Sequence, residues 1–163
     1  MLTLERLREV LAYNPQSGLL VWKVANSRRV SVGDIAGSLD NNGYIVIRID
    51  RRIYKAHRLA WFLVMGDWPK VTIDHINGVP ADNRWSNLRE ATYSQNNASR
   101  GLTSRNKSGL KGVSWDKGAG RWRAQMSVNG KAMYLGLFDT PEMAQEAYRV
   151  AAGIAYGEFF WDK

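Results

Sequence analysis

The stretch TIDHINGVPADNRWSNLREATYSQNN, residues 72–97, contains one of the two histidines of the chain and decides how its first part folds. A short β-prone run ends in Asp74 and His75, and Asn87 and Asn96 follow after eleven and eight intervening residues. Adjacent side chains on an extended segment point to opposite sides, so the carboxylate and the imidazole cannot easily hold one metal ion together. They can do two jobs around one substrate, in which the carboxylate binds a cation and the imidazole faces an attacking water.

The charge of the chain points to a polyanionic partner. It has 163 residues, with 23 Lys and Arg against 15 Asp and Glu, and a formal net charge of +8. Residues 1–107 carry 16 basic and 9 acidic side chains, whereas residues 108–163 are nearly neutral. This balance favours nucleic acid as the partner, although many small basic proteins are merely soluble.

Two absences in the sequence narrow the class of protein. There is no cysteine, which excludes a disulfide framework and a thiolate-held zinc. No apolar run approaches the ~18 residues of a membrane-spanning helix, and the first residues lack the apolar centre of a signal peptide. We therefore expect a cytoplasmic protein with no membrane partner.

Hydropathy periods predict mixed α and β structure in the first two thirds of the chain. The expected elements are a helix at 4–13, a strand at 19–24, a hairpin at 40–56 turning at 50–52, a buried helix at 57–66, a strand at 70–74 and a helix in the second half of 88–99. Thr92 is the expected N-cap of the last helix. Ile45, Ile47 and Ile49 should share the buried face of the hairpin.

The last third predicts a three-stranded sheet with one helix packed on it. Strands are expected within 110–116, 120–128 and 131–138, with Asn129-Gly130 as a type I′ turn. The helix should begin after the N-cap Thr140 and end at Gly157. We expect its inner stripe to consist of Met143, Ala147, Val150, Ala151 and Ile154.

The spacing of the Asp-His stretch resembles the HNH endonuclease motif, in the variant whose last position is Asn rather than His. The stretch is similar to phage and intron-type HNH proteins that share DHI(N/D)G…DNR.SNLR.AT.S.N, and the resemblance covers roughly residues 44–97. It implies a ββα-metal fold, in which two strands and a helix surround one divalent ion. Carried over to this chain, it makes Asp74 and Asn96 the metal ligands and His75 the general base.

The same resemblance implies roles for the residues around that site. Asn87 would fix the loop and orient the His75 ring through a hydrogen bond. Asn83 and Arg84 would hold the loop or meet the DNA backbone. The cofactor would be one Mg²⁺ or Mn²⁺, because carboxylate and amide oxygens are hard ligands, and structural zinc would be absent. Asn97, beside Asn96, is the less well-spaced alternative ligand.

Several other residues have two interpretations. His57 could be a group behind the active site, a DNA contact, or simply a cap or a packed surface histidine. Arg58 is a candidate phosphate contact. The Gly/Ser-rich basic linker at 100–109 could be a passive tether or could track phosphates. Its candidate contacts, with the lysine just beyond it, are Arg100, Arg105, Lys107 and Lys111.

The last third resembles an AP2 DNA-binding domain, through KGVSWDKGAGRWRAQMSV and LGLFDTPEMAQEAYRVAA within residues 111–159. Arg121, Arg123 and Gln125 share one strand face and suit the major groove, where Arg reads guanine and Gln reads adenine. A solvated sheet face is the alternative. Trp115, Tyr134 and Lys111 could extend the same surface.

Together these features predict an α+β protein: an HNH nuclease domain at 1–99, a basic linker at 100–109 and an AP2-like domain at 110–163. The expected activity is metal-dependent hydrolysis of double-stranded DNA by a monomer. The family resemblance implies a homing or phage-encoded type and a 5′-phosphate product. The alternatives are a catalytically inactive sequence-specific regulator and an RNA-acting protein. Residues 1–43 have no predicted role beyond loop arginines that could contact phosphates.

Overall fold

The computed structural model describes residues 2–25, 29–99, 101–102 and 106–160, and these form two units. The first unit contains residues 1–90 and the second contains residues 91–163. Each is described by itself. Within the described part of the chain, no helix combines the length and apolar character needed to cross a membrane.

The first unit alternates short strands with two helices. In chain order the elements are α1 Leu4–Val10, β1 Leu11–Tyr13, β2 Leu20–Trp22, β3 Ser38–Leu39, β4 Ile45–Ile49, β5 Arg52–Lys55, α2 Ala56–Met65, β6 Thr72–His75 and β7 Leu88–Ala91. Strands β1 and β2 pair, β3, β4 and β5 form a three-stranded sheet, and β6 pairs with β7. The predicted hairpin, helix 57–66 and strand before His75 are confirmed.

The N-terminal helix is shorter than its apolar spacing predicted. Helix α1 ends at Val10, and the next three residues form β1, in which Leu11 pairs with Trp22. Tertiary pairing overrides the helical period here, because the strand buries Leu11 completely while satisfying its backbone.

The strand β7 was not predicted, since its residues Leu88–Ala91 carry no clean alternation.

The core of the first unit forms where α1 and α2 pack on the sheets. Its largest fully buried side chains are Leu7, Leu11, Ile47, Ile49 and Leu59. Each such burial contributes roughly 1.5–3 kcal/mol relative to exposure. A smaller cluster of Ala60, Ile73 and Leu88 joins α2 to the strand pair β6–β7, and so fixes the strand that carries Asp74 and His75.

The second unit contains α3 Tyr93–Ser99, β8 Val113–Asp116, β9 Arg121–Val128, β10 Lys131–Phe138 and α4 Pro141–Tyr156. The antiparallel sheet has the order β10-β9-β8. Asn129 and Gly130 both have positive φ, as the type I′ turn requires. Thr140 caps α4 by accepting a hydrogen bond from the Met143 amide. The predicted α+β class and the AP2-like sheet and helix are confirmed.

The predicted inner stripe of α4 is wrong at Met143, Val150 and Ile154, which are exposed, whereas Ala147 and Ala151 pack partly buried against the core. The buried positions are Ala144, Tyr148, Ala152 and Tyr156, whereas Ile154 is 83% exposed. The buried residues recur every four positions, like most of the predicted stripe, but they lie about one position later in the chain. The large apolar rings of Tyr148 and Tyr156 decide the packed face on a helix that is rich in alanine all round.

Candidate active site

Strand β6 presents the Asp-His pair at its C-terminal end, inside the first unit. Asp74 is 5% exposed and His75 is 6% exposed. A β-turn follows at once, in which Gly78 has a φ of 69° and its amide donates to the His75 carbonyl. The strand therefore stops at the histidine, and the chain turns into the loop that carries Asn83 and Asn87.

The ring of His75 is oriented by Asn83. Nε2 of His75 lies 3.2 Å from Oδ1 of Asn83. Nδ2 of Asn83 donates to the Ala81 carbonyl, which fixes the amide with its oxygen toward the ring. An amide oxygen only accepts, so Nε2 must carry the hydrogen and Nδ1 of the neutral ring keeps its lone pair.

The expectation that Asn87 makes this ring hydrogen bond is wrong. Oδ1 of Asn87 accepts from the Asn77 amide at 2.9 Å, and Nδ2 donates to Oδ1 of Asn77 and to the Asp82 carbonyl. Both amide hydrogens are used within the loop. Asn87, 6% exposed, therefore ties the two ends of the loop together, and the residue four positions earlier faces the imidazole.

The surroundings of His75 keep it neutral. Burial lowers the pKa of His75, and the Lys55 charge lowers it further, against the Asn83 hydrogen bond and the Asp74 and Asp82 charges. The ring of His57 lies edge-on at 5.0 Å between centroids, and Tyr44 lies at 6.0 Å. A neutral imidazole at neutral pH is the protonation state that a general base needs.

His57 is buried rather than being a surface histidine. It is 5% exposed at the second position of α2, and its Nδ1 has no hydrogen-bond partner within the described residues. Burial lowers the pKa of His57 to about 3, with smaller effects of His75, Lys55 and Arg58. This side chain is therefore uncharged at neutral pH.

Asp74 has a cationic partner that the sequence analysis missed. Nε and Nη2 of Arg89 on β7 both lie 3.0 Å from Oδ2 of Asp74. The two side chains are 14% and 6% exposed. The sequence does show a basic residue shortly after Asn87. Its pairing with Asp74 could be predicted only by knowing that this segment is a strand paired with β6.

The N-terminal hairpin β1–β2 supports the loop from the other side, a second feature that the sequence did not reveal. The hydroxyl of Tyr13 donates to the Asn83 carbonyl at 2.7 Å, and the Trp85 amide donates to the Pro15 carbonyl at 2.9 Å. A Cβ on Gly18 would lie 2.4 Å from the Arg84 nitrogen. Tyr13, Pro15 and Gly18 thus give the N-terminal segment a structural role next to the site.

The predicted second metal ligand lies in the other unit. Asn96 is half-buried on α3, where its amide donates to the Thr92 carbonyl. Thr92 caps this helix as predicted, and Gln95 reciprocates in a capping box. No group of three or more His, Cys, Asp and Glu side chains suited to a metal occurs in the described part of the chain.

The predicted basic contacts of the first unit differ in exposure. Arg84 is exposed and forms an ion pair with Asp82. Arg58 is half-buried, with its guanidinium 5.9 Å from the Trp68 ring centroid. Arg100 and Arg105 lie outside the described residues. Lys107, in the second unit, is exposed.

One face of β9 in the second unit carries the polar residues predicted to read DNA. Arg121, Gln125 and Ser127 are exposed, whereas Ala124 and Met126 on the other face are buried. Arg121 pairs with Asp139 at 2.7 Å, and Arg123 lies 3.6 Å from Asp116. Such partly exposed pairs are weak, so each guanidinium can exchange its partner.

Two residues predicted for this surface are placed differently. Trp115 lies directly opposite Trp122 in the register and contacts its ring at 5.3 Å, which puts it on the other side of the sheet from Arg123. Lys111 is half-buried and donates to the Ala98 carbonyl. Tyr134 does extend the polar face, because it lies opposite Gln125 and is 62% exposed.

The site and the sheet define a class: an α+β protein that joins a buried Asp-His pair, held by asparagines, to a separate three-stranded DNA-binding-type sheet. The family profile described as HNH endonuclease matches residues 54–98, and the AP2 domain profile matches residues 108–157. These matches contain the Asp-His loop and the polar sheet face respectively.

Two viral proteins are similar to most of this chain. Protein 3.8 of Escherichia phage T7 is 34% identical over 113 residues, which covers 67% of this chain and 93% of that protein. An uncharacterized HNH endonuclease of Acanthamoeba polyphaga mimivirus is 32% identical over 123 residues, covering 74% of this chain and 63% of that protein. No solved structure matches.

The chain belongs to the HNH endonuclease family and carries a C-terminal AP2 domain. It therefore combines an HNH endonuclease domain with an AP2 DNA-binding domain.

Proposed function

We propose that this protein is a metal-dependent endonuclease that hydrolyses phosphodiester bonds of double-stranded DNA, with His75 as general base and the AP2 sheet as target reader. The observation that carries the proposal is the hydrogen bond between Nε2 of His75 and Oδ1 of Asn83. It fixes the tautomer in which Nδ1 has a lone pair, on a ring that burial keeps neutral.

The reaction uses this nitrogen. A water oxygen forms a bond to phosphorus, its proton goes to Nδ1 of His75, and the bond from phosphorus to the 3′ oxygen breaks. The leaving oxygen takes a proton from solvent, so the products are a 3′-hydroxyl and a 5′-phosphate. A general base of this kind contributes about 10²–10⁴-fold to the rate.

Asp74 and Asn96 would hold one divalent ion, Mg²⁺ or Mn²⁺. The donor set fits a hard cation, because it consists of a carboxylate and an amide oxygen, and such ions keep water and phosphate oxygens as their remaining ligands. Asp74 is buried and already attracts one cationic group, Arg89. When bound, the ion supplies positive charge that stabilises the phosphate oxygens as negative charge develops on them.

The AP2 unit would place Arg121, Arg123 and Gln125 in the major groove, with Tyr134 beside them. Arg84, Arg58 and Lys107 would contact phosphates. Arg100 and Arg105 remain predicted phosphate contacts of the linker at 100–109. Phosphate contacts position the protein while the sheet residues select the sequence. The functional domains would be 1–99 and 110–163, and the protein would act in the cytoplasm as a monomer of homing or phage-encoded type.

The test is incubation of supercoiled plasmid with the protein and Mg²⁺ or Mn²⁺, and in parallel with EDTA. We expect relaxed or linear DNA only with the metal. The His75→Ala variant should bind duplex with nearly unchanged affinity yet cut no DNA, because the imidazole acts on water. Binding without cleavage by the unaltered protein would support the inactive regulator instead, and tighter binding of RNA than of duplex DNA would support the RNA-acting alternative.

A further inference from the structure

A lysine that no motif contains lies next to the histidine pair. Lys55 is the last residue of β5, paired with Val46 on the outer face of the three-stranded sheet. Its Nζ lies 3.6 Å from the centroid of the Tyr44 ring. The same ring lies 5.4 Å from the His57 centroid and 6.0 Å from the His75 centroid. The ammonium and the proposed base therefore lie beside the same aromatic ring.

The positive charge of Lys55 lies beside the Tyr44 ring, which neighbours both imidazoles. Behind burial and the His75 charge, the Lys55 charge is a smaller cause of the lowered pKa of His57. Both rings stay neutral, so at neutral pH Lys55 supplies positive charge on the Tyr44 side of the histidines. Arg89 supplies positive charge at Asp74.

The ammonium of Lys55 lacks the partners that other partly buried cations have here. Within the described residues, no carboxylate forms an ion pair with it and no oxygen accepts a hydrogen bond from it. Lys111, also half-buried, instead donates to the Ala98 carbonyl. An ammonium has three N–H donors, and a π face attracts the charge without replacing an anionic acceptor. The arrangement holds a cation ready for an anion.

We propose that Lys55 is a catalytic residue whose ammonium donates to a non-bridging oxygen of the scissile phosphate. The inference rests on the function proposed above, in which water attacks that phosphate with the help of His75. Negative charge on the non-bridging oxygens is stabilised by a donor held in place before the reaction begins, and the Tyr44 ring holds this one. The proposal thereby names the atom of the substrate that Lys55 contacts, a non-bridging phosphodiester oxygen.

The test compares Lys55→Met, Lys55→Arg and the matched control Lys70→Met. Methionine keeps an unbranched side chain against Tyr44 and removes the charge, and arginine keeps the charge. Lys70 is an exposed lysine of the same unit, before the start of β6. Single-turnover nicking of supercoiled plasmid is measured with Mg²⁺, and duplex affinity is measured over a series of salt concentrations in EDTA. Circular dichroism and melting temperature check that each variant folds.

We expect Lys55→Met to lower the single-turnover rate by about 100-fold, as for loss of one preorganised donor to a developing oxyanion. The slope of the logarithm of its duplex affinity against the logarithm of salt concentration should become shallower by about 0.9, the value for one phosphate contact. Lys55→Arg should cut at least tenfold faster than Lys55→Met. Lys70→Met should cut at the rate of the unaltered protein.

Each contrary outcome has a distinct meaning. If folded Lys55→Met cuts as fast as the unaltered protein, the role of Lys55 is wrong and the proposed nuclease function stands. If Lys55→Met and Lys55→Arg lose the same rate, packing rather than charge is responsible and the inference is overturned. If Lys55→Met does not fold, the folded Lys55→Arg decides, since a full loss of rate with charge retained overturns the inference and a retained rate supports it. If the unaltered protein cuts no DNA with metal, both proposals fail.

Discussion

The guanidinium of Arg89 lies 3.0 Å from the Asp74 carboxylate, across the strand pair β6–β7, and both side chains are largely buried. Burying an unpaired carboxylate costs free energy. The ion pair with Arg89 offsets this cost for Asp74 in the folded protein before any metal binds. The proposed ligand is therefore held by its neighbour on the adjacent strand.

Arg89→Ala should lower the free energy of unfolding by about 3–5 kcal/mol in EDTA, because it removes the guanidinium that is paired with a buried carboxylate. Added Mg²⁺ should restore more of the melting temperature in this variant than in the unaltered protein, since the ion would neutralise the same carboxylate. Thermal melts with and without Mg²⁺ measure both effects. Arg6→Ala is the control: it removes an exposed guanidinium that pairs with Asp50, and it should cause a smaller loss with no metal response. A melt of Arg89→Ala that ignores Mg²⁺ would count against Asp74 as a ligand.

Asn83 and Asn87 should differ in what their loss affects. Asn83→Leu removes the acceptor for Nε2 of His75, so the wrong tautomer becomes populated, and we expect single-turnover cleavage to fall by about 10–100-fold. Asn87→Ala removes three hydrogen bonds of the loop and should cost roughly 3 kcal/mol of unfolding free energy, at about 1 kcal/mol each. Urea unfolding and single-turnover rates separate them. Unimpaired cleavage by folded Asn83→Leu would contradict the tautomer assignment.

Gly18→Ala should damage the site from outside it. The added Cβ would lie 2.4 Å from the Arg84 nitrogen and 2.6 Å from the Asn83 carbonyl carbon, so the loop has to shift. Gly33→Ala is a matched control, because Gly33 also has a positive φ, of 91°, but nothing lies within 4 Å of its Cβ position. Both variants carry backbone strain of about 1 kcal/mol, and only Gly18→Ala should lose cleavage. If the two folded variants nick at equal rates, the hairpin does not hold the loop in its active position.

The depressed pKa of His57 predicts a pH dependence of stability. The unfolded chain binds a proton at this residue near the ordinary value of 6.5, whereas the folded protein binds it only near 3. Between these values the unfolded state holds more protons, so stability rises with pH, by up to about 1.4 kcal/mol per unit. The contribution is fully present above pH 6.5 and is lost as the pH falls. His57→Gln should flatten urea-unfolding free energies between pH 6.5 and 4, and parallel curves for the two proteins would contradict the shift.

The polar face of β9 predicts where target preference resides. The double variant Arg123→Ala, Gln125→Ala should still nick plasmid but lose preferred sites when cleavage ends are mapped on genomic DNA. Each bidentate base contact is worth about 1–3 kcal/mol of discrimination. Arg149→Ala, which removes an exposed arginine of α4 paired with Glu146, should leave the map unchanged. An unaltered map from the double variant would place the reader elsewhere.

Local patterns sufficed for much of the fold. The turn at Asn129-Gly130, the capped helices α3 and α4 and the hairpin β4–β5 follow from residue types acting over a few positions, so the sequence predicts them. The inner stripe of α4 was missed because alanine lies on every face of that helix, and only the sheet it packs on selects Tyr148 and Tyr156.

The sequence alone determined the residue types of the candidate site, Asp74, His75, Asn83 and Asn87, and their association with an AP2 domain, because short motifs that resemble known families carry that information. Tertiary structure decided which asparagine meets the imidazole, that Arg89 pairs with Asp74, and that Tyr13 and Lys55 lie beside the site. The reason is physical: these contacts join segments that are distant along the chain, and strand register with side-chain packing, rather than local propensity, sets which atoms meet.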